Sequence, residues 1–271
     1  MQNHIPGTGQ GAAGRRQGKR KLYFCRVNLD TIYMKSRALV LRTVKYNDES
    51  FIAHLFTEQE GRVAMLVRIN RSKRAAVRHT LFQPLAVLDV EWDHRPKATL
   101  QRPRLATTSL PLTSVPYDPH KSAMALFLAE FLYYALQGEA DKEALFDYMV
   151  RSVEWLDTCP KGFANFHLVF LLRLTHFLGF MPQIVRAEAH HFFDLRNSCF
   201  VASQPLHPDF LPPREAAYLP KLLRMRYDNM HVFRFSGTER SQLLEHLNHY
   251  YRLHLPGFPE LKSLAVLKML F

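Results

Sequence analysis

The hydrophobic period of this chain changes once, and the change falls in a run of prolines. Between residues 36 and 108 apolar side chains come in short, β-branched runs. Beyond Pro119 they come in long stretches with helical spacing, and Pro111, Pro116 and Pro119 stand between the two patterns. Side chains repeat about every 2 residues in a strand and about every 3.6 in a helix, so one segment cannot satisfy both. The 271 residues allow one large domain or two small ones. The change of period favours two, with a β unit over residues 34–112 and a helical unit over 113–271.

Within the β unit, residues 38–44, 51–57, 62–68 and 85–92 read as strands, and residues 97–108 can supply a fifth. Tyr46 to Ser50 is turn chemistry, and Glu58 to Gly61 is a tight connection in which Gly61 is free to take a positive φ. Five short strands suit a five-stranded OB-fold β-barrel, and an SH3-like barrel fits the pattern nearly as well. The class is then α+β, a β-barrel followed by an all-α C-terminal domain. Helices are expected over 123–136, 142–156, 166–180, 214–225 and 261–270. Ser236 and Glu239 have capping-box spacing and start one more, ending near His254. Residues 183–213, with Pro205, Pro208, Pro212 and Pro213, read as irregular.

Charge divides along the same boundary. Residues 1–33 carry a net charge of +5, residues 34–110 carry +7, and residues 111–271 are neutral. An uneven basic surface suits a polyanion, because neutralising phosphates releases condensed counterions. Residues 1–33, rich in glycine and basic residues, read as a tail. It is either a basic arm or an over-extended start, since Met34 directly precedes the first convincing strand.

The densest basic stretch joins the third and fourth strands. It holds Arg68, Arg71, Lys73, Arg74 and Arg78, and no acid occurs between Arg62 and Leu88. Asn70 and Ser72 add hydrogen-bonding groups for phosphate oxygens, without base specificity. Among the nearby aromatics, Phe51 and Phe56 are expected to fill the barrel and Tyr46 to be exposed, where it can stack on a base.

Enzyme chemistry finds little support. Nucleophile-elbow, phosphate-loop and dinucleotide motifs are absent. His246 and His249 can share a helix face, but no paired CxxC accompanies them and HExxH is missing. Asp118, Glu130, Asp141 and Asp147 read as acids at helix ends or on polar faces. The three cysteines, Cys25, Cys159 and Cys199, are far apart and read as reduced thiols. No apolar run is long enough to span a membrane, and no secretory signal is apparent. A cytoplasmic, nucleoid-associated protein is expected, with no catalytic residue and no metal.

Several short motifs occur in a fixed order: Ala38-Leu-Val-Leu-Arg42, Leu55-Phe-Thr-Glu-Gln-Glu-Gly61, Arg71-Ser-Lys-Arg74, Gln83-Pro84, Leu178-Gly-Phe-Met-Pro182 and Leu261-Lys-Ser-Leu264. In order and spacing, the run from residue 34 to 271 resembles the bacterial RecO family. The resemblance implies an N-terminal OB-fold and a helical C-terminal domain. It implies binding to single- and double-stranded DNA and annealing of complementary strands in recombination repair. The implied partners are RecR and the acidic C-terminal tail of single-stranded DNA-binding protein, with indirect help in loading RecA. Carried over by motif, the DNA-contact candidates are Arg68, Arg71, Lys73, Arg74 and Arg78, followed by Arg42 and Arg62. Lys221, Arg224 and Arg226 lie close in one helical stretch and are candidates to rim a groove for the acidic peptide. Many family members carry four zinc cysteines after the Leu-Gly-Phe helix. Here residues 182–213 have only Cys199, so the family zinc site is expected to be absent, with Phe192, Phe193, Phe200 and Phe210 packing in its place. The rival reading is a protein-only scaffold whose basic barrel docks an acidic partner.

Overall fold

The computed structural model describes residues 31–70, 72, 75–136, 142–184 and 190–270; the tail up to residue 30, including Cys25, and the loop cations Arg71, Lys73 and Arg74 lie outside the described residues. The β unit consists of β1 (Ile32–Lys45), β2 (Ser50–Thr57), β3 (Gly61–Arg68), β4 (Val87–His94) and β5 (Pro103–Leu110). They form one sheet in the order β3-β2-β1-β4-β5, with every neighbouring pair antiparallel. The sheet curls until its edges touch at one parallel bridge, Met65 with Gln101. There the Leu66 N–H donates to the Gln101 carbonyl at 2.9 Å, and the Gln101 N–H donates to the Ala64 carbonyl at 2.8 Å. This is the partly open, five-stranded arrangement of an OB-fold.

β1 starts at Ile32, six residues before the apolar alternation begins. Its pairing with β4 carries it there, through Ile32 with His94 and Tyr33 with Asp93. Both residues are exposed, so hydrophobic pattern alone could not mark them as strand. A register shift between Val40 and Arg42 then lets β1 leave β4 and continue along β2. Gly61 opens β3 at a φ of 70°, the conformation its connection requires.

Alternation sorts the strand residues onto two faces. Ala38, Val40, Ala53, Leu55, Met65, Val67, Val90 and Trp92 fill the barrel. On the opposite face Leu39, Leu41, Phe56 and Val87 join the core of the helical unit. Phe56 is therefore buried beneath the helices rather than inside the barrel.

The helical unit contains α1 (Pro119–Ala135), α2 (Lys142–Thr158), α3 (Phe166–Phe177), α4 (Pro213–Ala216), α5 (Leu219–Arg224), α6 (Gly237–His254) and α7 (Ser263–Leu270). No helix among the described residues is long and apolar enough to cross a membrane. α1 begins earlier than its apolar run because Asp118 caps it, accepting from the His120 and Lys121 N–H groups at 2.8 and 3.1 Å. Ser236 and Glu239 form the expected capping box at the start of α6. The single helix expected over 214–225 is two short ones. Pro220 falls in the first turn of α5, where a residue without an N–H is tolerated but cannot extend the preceding helix.

The stretch read as irregular contains a small sheet of β6 (Phe192–Asp194), β7 (Cys199–Val201) and β8 (Phe210–Leu211), in the order β7-β6-β8. Phe193 packs edge-on against Phe200 at 5.1 Å, and Phe192 against Phe210 at 5.6 Å. The Asp194 carboxylate ties the β6–β7 turn, accepting from the Arg196 and Asn197 N–H groups at 2.9 and 3.0 Å and from the Asn197 amide at 2.8 Å.

Two polar anchors fix the connection between the units. Asp157 of α2 accepts from the N–H groups of Thr113, Ser114 and Val115, each at 2.8 Å. Burial raises the Asp157 pKa, but these bonds outweigh it and hold the carboxyl below its ordinary range. The buried Lys121 ammonium donates to Ser114 Oγ at 2.6 Å and to the carbonyls of Cys159 and Asp157 at 2.7 and 3.1 Å.

Candidate nucleic-acid interface

A groove of about 500 Å³ opens at the rim of the barrel. The β1–β2 turn supplies Tyr46, Asn47 and Glu49; β3 and the segment after it supply Arg68, Asn70, Ala76 and Val77; Arg102 and Pro103 complete the lining. The turn is tied by its own hydrogen bonds. Asn47 Oδ1 accepts from Ser50 Oγ at 2.7 Å and from the Glu49 N–H at 3.0 Å, and the Ile69 N–H donates to the Glu49 carbonyl at 2.7 Å. Tyr46 is 59% exposed, as its position in the turn led one to expect.

The β4–β5 loop is organised by a buried glutamine. Gln101 Oε1 accepts from the Arg95 N–H at 2.9 Å, and its Nε2 donates to the Ala98 and Arg95 carbonyls at 2.9 and 3.0 Å. The same residue bridges β3, so one side chain and its backbone hold the loop and join the sheet edges. The loop cations Arg95, Lys97 and Arg102 are exposed. Arg104 is exposed too but pairs with Asp93 at 2.6 Å.

Arg68 and Arg102 line the groove, and with Arg78 they are exposed and form no ion pair among the described residues. Other barrel cations are matched: Lys35 with Glu91 at 3.2 Å, Arg37 with Glu58 at 2.6 Å and Lys45 with Asp48 at 2.7 Å. The rim thus presents unneutralised guanidinium groups beside an exposed aromatic ring. One acid, Glu49, shares the groove.

Arg42 and Arg62 lie elsewhere, at the seam with α1. Their guanidinium groups stack on the Tyr133 ring at 5.0 and 4.7 Å. Arg42 also donates to Tyr134 Oη at 3.1 Å, and Arg62 donates to the Leu136 carbonyl at 3.1 Å, at the C-terminal end of α1. A cation there complements the helix dipole. His54 completes the cluster edge-on to Tyr133 at 5.0 Å. Burial, then the charges of Arg62 and Arg42, lower its pKa.

Lys221, Arg224 and Arg226 are all exposed at α5 and just beyond it. Lys221 stands over the Tyr218 ring at 5.3 Å, and Arg226 lies 3.7 Å from Asp228. Leu219 and Leu222 of α5 point into the core, away from these cations.

No group of three or more histidine, cysteine or acidic side chains among the described residues could hold a metal ion. In the stretch after α3, Cys199 is the single thiol, and Asp194 is engaged by the turn it ties. These residues do not fit the zinc that the family resemblance brings to mind.

The family model described as Recombination protein O N terminal matches residues 32–109, and that described as Recombination protein O C terminal matches residues 116–265. The chain belongs to the RecO family. The DNA repair protein RecO of Bacteroides fragilis is 51% identical over 238 residues, which cover 88% of this chain and 98% of the relative. That of Phocaeicola vulgatus is 48% identical over 237 residues, with the same coverage. The one from Porphyromonas gingivalis is 39% identical over 241 residues, covering 87% and 98%. The boundary between the two family models falls where the period changes and where Asp157 grips the connection.

Lys97 and Arg102 fall within residues 97–108, whose pattern reads as strand, and Arg95 stands just before them, so strand pattern marks none of the three as a binding residue. The signal was present: four cations and no acid lie between His94 and Tyr117.

Proposed function

We propose that this RecO-family chain acts in DNA repair and recombination by binding the phosphate backbone of single- and double-stranded DNA along the barrel rim. The observation that carries this reading is the rim groove, lined by Arg68 and Arg102, which form no ion pair among the described residues, with Tyr46 exposed beside them. OB-fold barrels bind oligonucleotides on the face of strands 2 and 3, between the β1–β2 and β4–β5 loops. The groove occupies that location. Arg78 extends the basic surface, and Arg71, Lys73 and Arg74 belong to the same connection in sequence. Arg42 and Arg62 come second in the proposal, since each already holds a contact at the seam.

Neutralising phosphates while leaving bases uncovered lets two complementary strands approach and pair, so the reading includes strand annealing. It predicts strong salt dependence and little sequence preference. Within it, the neutral helical unit docks proteins: RecR, and the acidic tail of single-stranded DNA-binding protein with Lys221, Arg224 and Arg226 as charge partners. Help in loading RecA follows from delivering DNA freed of that protein. The reading involves no metal and no catalytic residue.

The test is fluorescence anisotropy of labelled single-stranded DNA against the full chain at two salt concentrations. The same measurement is made with Arg71, Lys73 and Arg74 changed to alanine, and with Arg68 and Arg102 changed to alanine. Salt-sensitive binding weakened in both variants is expected. Absence of binding at low salt contradicts the proposal and turns the barrel into a protein-docking surface.

A further inference from the structure

Beyond the bulge at Leu41, one edge of β1 is open. Pairing with β4 ends at Leu39 with Val87. The last backbone bonds on that side join Val40 to Ala86 and Leu85, both at 2.9 Å. Residues 42–45 pair with β2 on the other side and have no second backbone partner among the described residues. Such an edge offers a row of unmatched N–H and C=O groups.

A groove of about 350 Å³ runs along this edge, between β1 and the helices α1 and α7. Leu41, Leu126 and Val266 are among its lining residues, and Leu126 and Val266 are each 44% exposed. Arg42 and Lys262 also line it. The acid that lines it, Glu130, is already engaged at the start of α7. Its carboxylate accepts from the Ser263 N–H at 2.8 Å, from the Lys262 N–H at 3.3 Å and from the Ser263 hydroxyl.

We propose that this groove takes an extended acidic segment of a partner protein, added as a strand to the open edge of β1. Apolar side chains of the segment rest on Leu126 and Val266, and its carboxylates meet Arg42 and Lys262. Backbone pairing supplies affinity and the alternate side chains supply selectivity, as in other strand additions. A nucleic acid fits poorly, because its phosphates would lie against leucine and valine. A second copy fits poorly as well, because a two-fold contact across the groove brings like charges together. The site is distinct from the barrel rim and from the α5 cations.

The test uses a labelled six-residue peptide of alternating aspartate and leucine, titrated against the full chain and followed by anisotropy. The account expects binding that falls at least about tenfold in Leu126→Asp and in Val266→Asp, and less steeply in Lys262→Glu. It expects binding that depends on Leu126 and Val266 to persist in the Lys221→Ala, Arg224→Ala, Arg226→Ala triple variant, and no binding of a lysine–leucine peptide. Folding of each variant is checked by circular dichroism and by retained binding to single-stranded DNA, which also separates failure here from failure of the DNA reading. A peptide N-methylated at alternate backbone positions must bind far more weakly, and this arm needs no variant to fold. Undiminished binding of the methylated peptide overturns the proposal. So does undiminished binding by the folded Leu126 and Val266 variants, or a dimer that Val266→Asp abolishes.

Discussion

The barrel and the helical unit use their charges in opposite ways. In the helical unit cations stand beside acids: Arg151 with Asp147 at 2.8 Å, Arg196 with Asp209 at 2.5 Å and Arg252 with Glu260 at 3.5 Å. Its net charge is zero, and its core is aromatic: Phe131 packs edge-on against Tyr251 at 4.6 Å and at a tilt against Phe258 at 4.9 Å. The barrel matches some cations and leaves Arg68 and Arg102 at its rim, and the exposed Arg78, without an ion pair among the described residues. Surface ion pairs stabilise proteins little, so the barrel forgoes almost no stability by leaving these groups free. On the proposed reading, what it retains is affinity for an external polyanion. The two units nevertheless share a core, through Leu39, Leu41, Phe56 and Val87.

The largest expected effect tests that sharing. Phe56→Ala removes a fully buried ring from the face of β2 that joins the helical core, and should cost about 3–5 kcal/mol. Calorimetry of the natural chain should give one transition, and the variant a lower one. Two independent transitions in the natural chain would break the shared-core half of the comparison.

Acid should come next. Burial, reinforced by the charge of Arg240, holds His167 neutral down to about 3, whereas the unfolded chain protonates it near 6.5. His54 is shifted the same way. The unfolded state therefore binds more protons below about 6.5, so stability present at neutral pH is lost as pH falls through that value and onward toward 3. The depressed pKa of Asp157 adds to the loss in the acidic range. Urea midpoints measured at pH 7 and pH 5 should show the drop, and His167→Gln should reduce it.

Much of this was legible in the sequence, for physical reasons. Four strands of the barrel have alternating apolar faces, and Ser236 with Glu239 announces a helix start by chemistry alone. The rest was not. Ile32 and Tyr33 are strand only because β4 pairs with them. The β6–β7–β8 sheet is built from runs of two and three residues, too short to carry a period. Gln101 looks like any polar loop residue until its backbone is seen to bridge β3. Arg102 lies in a stretch whose pattern reads as strand, although it belongs to a run of four cations without an acid.

Gln101→Ala sharpens the comparison within the barrel. It removes three side-chain hydrogen bonds from the loop that leads to Arg102, at about 1 kcal/mol each. DNA affinity should fall with the loss of loop order while the helical core is untouched, which near-ultraviolet dichroism of the aromatic residues can verify. The smallest effect has the opposite sign. Glu49→Gln removes the acid from the rim groove and should tighten single-stranded DNA binding by about twofold at low salt. Weaker binding instead would mean that the groove contacts something other than phosphate.

The most direct test of the account is the salt dependence of single-stranded DNA binding, compared between barrel and helical variants of the full chain. With Arg68 and Arg102 both changed to alanine, the slope of log affinity against log salt should become shallower by about 1.4, two phosphate contacts at about 0.7 each. With Lys221, Arg224 and Arg226 changed to alanine, the slope should stay as it is. An unchanged slope in the first variant, or a loss confined to the second, would contradict the assignment of DNA to the barrel rim.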